Sequence, residues 1–134
     1  MDFKNTAKMS HDIVADALNM MKNAKKARKE GVVISRISNL LIEVLKIMKQ
    51  EGAVKKYKIN SKEKSIEITF GQFADCNAIK PRFTVDVSQI EKYRRRYLPS
   101  RNMGTVIIST NKGLLTHTEA TKEKIGGCLV SYFY

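Results

Sequence analysis

The chain has 134 residues, enough for one ordinary domain or two small ones, and 43% of them are hydrophobic, as in a packed soluble protein. Its 25 Lys and Arg against 13 Asp and Glu leave a formal charge of +12, and a charged fraction of 28% argues against both a membrane protein and a disordered tail. No run approaches the roughly 20 apolar residues of a bilayer span, Met1–Asn5 has no hydrophobic signal core, so a cytosolic chain is expected, and two Cys with two His fall short of a zinc site.

Ser10 is placed to cap a first helix from Asp12 to Asn23. Ile13, Ala17, Met20, Met21 and Ala24 recur at three- and four-residue intervals, and Val14 and Leu18 widen the stripe. Lys25-Lys26-Ala27-Arg28-Lys29 reads as a basic loop ending at Gly31, followed by a β-branched strand, Val32–Ile34. Ser35 or Ser38 opens a second helix with Ile37, Leu41, Val44, Leu45 and Met48 inward and Gly52 as its stop. Val54–Ile59 and the alternating Ser65–Phe70 then form a hairpin across Asn60-Ser61-Lys62-Glu63.

Gln72–Pro81 is irregular and marks a candidate boundary. Beyond it Phe83, Val85 and Val87 alternate as a strand, and Ser88 with Glu91 has the spacing of a capping box for a short helical turn. That turn must stop before Pro99. Thr105–Ser109 is a strong strand, Thr116 with Glu119 a second capping box for a short helix to Lys124, and Cys128–Tyr134 a closing apolar strand. Cys76 and Cys128 read as small buried hydrophobes. The fold expected is α+β in two small domains: an N-terminal α-β-α-β-β unit over residues 1–75, and a mainly β C-terminal unit with short helices over 76–134.

Charge is the strongest guide to function. Residues 1–80 carry 16 basic and 9 acidic groups and residues 81–134 carry 9 and 4, so the excess is spread along the chain and not gathered in a tail. An extended positive face that follows phosphates is expected. Lys25, Lys26, Arg28, Lys29, Lys55, Lys56, Arg94, Arg95, Arg96 and Arg101 are candidate phosphate ligands, with about half of them simply solvated by the usual behaviour of surface cations. Ser109-Thr110-Asn111-Lys112-Gly113 offers hydroxyls, an amide and a cation at a strand end. Short side chains of that kind suit the shallow minor groove of A-form RNA, with its 2′-hydroxyls and base edges. The same residues also suit an ordinary strand end with a turn. Gly126-Gly127 either stops the preceding helix or leaves room for a sugar-phosphate backbone, and the two uses are compatible. Tyr93 and Tyr97 either stack on bases or pack into the core; packing is the better expectation. No GxxxxGK[ST] loop, GxSxG elbow or carboxylate cluster is present, so no catalytic residue is assigned. An RNA-processing enzyme and a general nucleic-acid chaperone are the alternatives.

Four stretches, in order and at consistent spacing, carry a family resemblance over residues 12 to 134. They are Val14–Leu18 with Lys22-Asn23-Ala24; Pro81-Arg82-Phe83; Tyr97-Leu98-Pro99-Ser100-Arg101; and Ile108–Gly113 through His117, Glu119-Ala120 and Gly126-Gly127. With them the chain resembles the small-subunit ribosomal protein family numbered eight, in its archaeal/eukaryotic branch. The resemblance implies a primary rRNA-binding protein that holds an irregular stem of the central domain and helps organise it during assembly, with neighbouring small-subunit proteins as further partners. It implies a cytoplasmic place in the ribosome and no cofactor, metal, membrane or small-molecule substrate. The implied contacts centre on Ser109, Thr110 and Asn111, with Gly126 and Gly127 beside them. Lys112, Gly113, Lys22, Asn23, Lys56, Arg82 and Arg101 complete the expected RNA-binding set. The chain departs from the family where Cys128 follows the glycine pair in place of a charged residue, and at Asn77, Lys80 and Asn102.

Overall fold

The computed structural model describes residues 13–79, 83–100 and 103–134. The first helix, α1, spans Ile13–Lys26 and buries Val14, Ala17, Leu18, Met21 and Ala24; the proposed Ser10 cap and Asp12 start lie outside the described residues. The helix runs beyond Asn23 and takes in Lys25 and Lys26, so that half of the basic run is helical and not loop. It closes at Arg28, which has φ 62°, with Lys29 N–H on the Ala24 carbonyl and Arg28 N–H on that of Lys25, both at 3.0 Å. Those two bonds are the paired closure usually given to glycine.

Strand β1 (Gly31–Ile34) leads to α2 (Asn39–Gln50). Of the two serines, Ser38 is the cap: its hydroxyl accepts from Leu41 N–H at 3.1 Å. Gly52, at φ 87°, ends this helix as expected. Strands β2 (Val54–Asn60) and β3 (Ser65–Phe70) form the predicted hairpin, its turn tightened by the Asn60 side chain accepting from Lys62 and Glu63 N–H. Both β1 and β2 pair antiparallel with β3, giving the order β1-β3-β2. Ile34, Ile66, Ile68 and Phe70 are buried from the sheet, and Leu41, Val44, Leu45 and Met48 from α2. Helix α1 packs on β1 and α2 on β2, so the alternation of Ile66, Glu67 and Ile68 sets which face meets the helices.

The chain divides into two compact units between Gln72 and Phe73. In the second, β4 (Cys76–Ala78) lies within the stretch read as irregular; three residues are too short to show a period. Strand β5 is only Thr84–Val85, because α3 begins at Val87 and reaches Tyr97. The helix cap is Asp86, whose N–H donates to Gln89 Oε1 at 2.9 Å, and not Ser88 with Glu91. Both spacings fit the motif, and the earlier one prevails because Val87 and Ile90 then fall on one side of the helix. Strand β6 (Thr105–Thr110), β7 (Gly113–Thr116), helix α4 (His117–Glu123) and β8 (Gly127–Phe133) follow. Here the Thr116–Glu119 capping box is present in both directions at 3.1 Å.

The second sheet runs β4-β8-β6-β7, with β5 also on β8. Its core gathers Ile79, Val85, Ile90, Leu98, Val106, Ile108, Ala120 and Leu129. Mixed helix and strand in two sheets makes the chain α+β. No helix among the described residues is long and apolar enough to cross a membrane.

Candidate nucleic-acid interface

Strand β6 ends in Ser109-Thr110, and two residues, Asn111 and Lys112, turn the chain into β7, so that Thr110 pairs with Gly113. Gly113 has φ 100°, the left-handed position that this short hairpin requires and that a side chain adopts poorly. Gly113 therefore does more than let the chain leave: it opens a strand. The Thr110 hydroxyl donates to the Gly113 carbonyl at 2.8 Å and accepts from Lys112 N–H at 3.1 Å. It builds the turn. Lys112 Nζ meets Glu123 Oε1 at 3.1 Å, an exposed pair of little energetic weight. Asn111 is exposed, and neither its amide nor the Ser109 hydroxyl has a hydrogen-bond partner among the described residues.

Strand alternation sends neighbours to opposite faces. Ile108 enters the core, so Ser109 stands on the other face, beside Leu114 of β7 and Cys128 of β8, and Cys128 stands beside Thr84 of β5. Ser109 and Cys128 are half-buried and Thr84 is exposed. Sequence reading missed Thr84 because only the cross-strand register sets it in one row with Cys128 and Ser109. The one signal available was its outward place between Phe83 and Val85.

The glycine pair sits between these strands. A Cβ on Gly127 would collide with the Ser109 carbonyl, and one on Gly126 with the Val85 carbonyl. The room that the absent side chains leave is thus filled by the protein's own backbone, and the pair is needed for β5, β8 and β6 to close on one another. Nor does the pair stop α4. Lys124 does, at φ 58°, with Ile125 N–H on the Ala120 carbonyl at 3.0 Å.

Two groups hold this scaffold from behind. His117 Nδ1 accepts the Val106 N–H at 3.1 Å, continuing the β6–β7 ladder by one bond after the chain has turned into α4. Burial pushes the imidazole below its ordinary value of 6.5, the Arg94 guanidinium pushes the same way, and Glu91 opposes them in part. Arg94 itself is buried and grips Glu91 with Nε at 2.8 and 3.0 Å and Nη2 at 2.8 Å. It therefore drops out of the candidate phosphate ligands, and Glu91 is its partner and not a helix cap. Arg95 and Arg96 remain exposed.

Of the other expected contacts, Lys22 (half-buried) and Asn23 (exposed) lie on α1, and Lys56 is exposed on β2, all in the first unit. Arg82 and Arg101, with Lys80, Pro81 and Asn102, lie outside the described residues. Cys76 is buried and Cys128 half-buried, both as free thiols. Among the described residues no three His, Cys, Asp or Glu side chains come together as metal ligands.

The sequence model of the family described as Ribosomal protein S8 matches residues 12–134. The small ribosomal subunit protein uS8 of Nanoarchaeum equitans is 46% identical, over 94% of this chain and 100% of its own length. The uS8 proteins of Picrophilus torridus and Archaeoglobus fulgidus are each 36% identical, with the same coverage. The match takes in both sheets, the Ser109–Gly113 hairpin and the glycine pair, and the chain belongs to the ribosomal protein S8 family.

Proposed function

We propose that the chain binds an irregular stem in the central domain of small-subunit rRNA and helps organise that region during assembly, beside neighbouring small-subunit proteins. Membership in the S8 family makes it a structural constituent of the ribosome and not an enzyme, and its place is in the ribosome; the stem and the contact residues are our own reading.

The observation that carries this reading is the free Ser109 hydroxyl, half-buried on the outer face near the end of β6 and continued across Cys128 by the exposed Thr84, in a chain of charge +12. A hydroxyl that both donates and accepts matches a ribose 2′-OH, and Asn111 at the hairpin tip adds a second donor and acceptor. Thr110 and Gly113 set the shape of the tip. Lys22, Asn23, Lys56, Lys112, Arg82 and Arg101 supply flanking charge and polar contacts, which fix register more than sequence.

The test is filter binding to in vitro transcribed small-subunit rRNA. If about six to ten phosphates are neutralised, affinity falls by roughly 10³–10⁵ between 50 and 200 mM salt. Ser109→Ala lowers affinity by about 0.5–1.5 kcal/mol with unfolding unchanged. Thr110→Ala lowers it through a loosened hairpin, and Thr110→Ser, which keeps the hydroxyl, restores it. A flat salt response, or wild-type affinity in Ser109→Ala, removes the outer face of β6 from the interface.

A further inference from the structure

Five aromatic rings line up across the second unit. Centroids are 5.8 Å apart from Phe83 to Tyr93, 6.5 Å from Tyr93 to Tyr97, 5.1 Å from Tyr97 to Tyr132, and 6.2 Å from Tyr132 to Tyr134. Neighbouring rings are inclined by no more than 26°, and all five are half-buried against the core. Each interior ring has a ring on either side, so a nucleobase finds little free face there. What the row offers outward is its edge.

The hydroxyls along that edge are of two kinds. Tyr132 accepts from Asn77 Nδ2 at 3.2 Å, and Tyr134 donates to Asp75 Oδ2 at 3.4 Å. The hydroxyls of Tyr93 and Tyr97, both on α3, have no hydrogen-bond partner among the described residues. The same helix exposes Lys92, Arg95 and Arg96, and Lys92 Nζ and Arg96 Cζ stand 5.8 and 5.9 Å from the centre of the Tyr93 ring. Its one acidic residue, Glu91, is held by Arg94. A local excess of cation with free hydroxyls between suits a polyanion that also carries hydroxyls, and repels a basic protein surface. The row also adjoins the interface described above: the Phe83 carbonyl accepts from Leu129 N–H at 2.8 Å, one residue beyond Cys128.

We infer that the outer face of α3 is a second RNA contact, which takes the ribose-phosphate backbone of a strand. Lys92 and Arg96 meet its phosphates, and the Tyr93 and Tyr97 hydroxyls meet phosphate or 2′-hydroxyl oxygens. The inference rests on the RNA-binding reading and extends it from the outer face of β6 to a helix whose Tyr93 and Tyr97 sequence alone assigned to packing in preference to stacking.

The experiment measures binding of the full chain to transcribed small-subunit rRNA as a function of salt. The double variant Lys92→Gln/Arg96→Gln binds roughly ten-fold or more weakly at 100 mM salt, and its log–log salt slope falls by about 2, one for each phosphate lost. Tyr93→Phe/Tyr97→Phe keeps every ring and loses about three- to ten-fold, the worth of one or two hydrogen bonds. Thermal unfolding matching wild type confirms that neither change acts through the fold. If Ser109→Ala weakens binding while both double variants bind like wild type, the α3 contact is overturned and the Ser109 contact stands. If wild-type protein shows no salt-dependent binding, both fall together. Protection of Tyr93 and Tyr97 from nitration by a neighbouring ribosomal protein, and not by rRNA, also overturns the proposal.

Discussion

Among its described residues the first unit buries no ionised side chain fully: its largest fully buried side chains are Leu18, Met21, Leu41, Leu45, Met48, Ile66 and Ile68, and Lys55, Lys56 and Lys58 are exposed on β2. The second unit builds polar and steric demands into its interior. Arg94 is buried in a grip on Glu91, His117 completes a strand ladder, and two glycines let three strands close. In the first unit scaffold and surface chemistry are separable, because apolar burial is non-directional and indifferent to what the outer face carries. In the second they are joined, since the groups that fix the strands border the residues proposed to touch RNA.

Three measurements sharpen that contrast. The largest effect on stability is expected from Leu45→Ala in the first unit, a buried truncation that costs about 2–5 kcal/mol in denaturant unfolding. Where the variant is still folded, RNA affinity stays close to wild type; a matching loss of affinity would break the claim of separability. Gly127→Ala costs about 1–3 kcal/mol, because its methyl meets the Ser109 carbonyl and the strands must part. Here affinity falls together with stability, and unchanged affinity would show that the Ser109 edge is not set by this close approach.

The smallest effect is that of pH. His117 titrates below the ordinary imidazole value in the folded chain, so the unfolded chain takes up the proton first as pH falls. The contribution of His117 is therefore complete above pH 6.5 and is lost on acidification through the lowered folded value. His117→Gln, which keeps a side-chain acceptor, flattens urea-unfolding stability over that window, and an unchanged slope would assign the pH dependence to other groups.

Legibility followed the range of the interaction involved. The α2 stripe, the β2–β3 hairpin and the Thr116–Glu119 box were readable because each is settled within a few residues. The ends of helices were harder. Gly52 and Gly126 both looked like helix stops, yet only Gly52 served as expected: Lys124 took the left-handed position after α4, and Arg28, within the run read as a loop, took it after α1. A cation in that position costs about 1–2 kcal/mol, and the capping bonds around it offset that cost. Ser109 and Asn111 were visible as a strand end and turn, whereas the separate turn-building work of Thr110 depends on a hairpin whose second strand, β7, left no clear pattern.

By itself the sequence determined the class of fold, the excess of positive charge, the family and the stretch where short polar side chains gather, because composition, periodicity and local capping are properties of neighbouring residues. Tertiary structure alone decided that Cys128 lies beside Ser109 with Thr84 beyond it, that Arg94 is interior, and that the glycine pair admits backbone. Those facts depend on which strands pair and in what register. Pairing between residues far apart in the chain is fixed by the packing of the whole sheet and leaves no local trace.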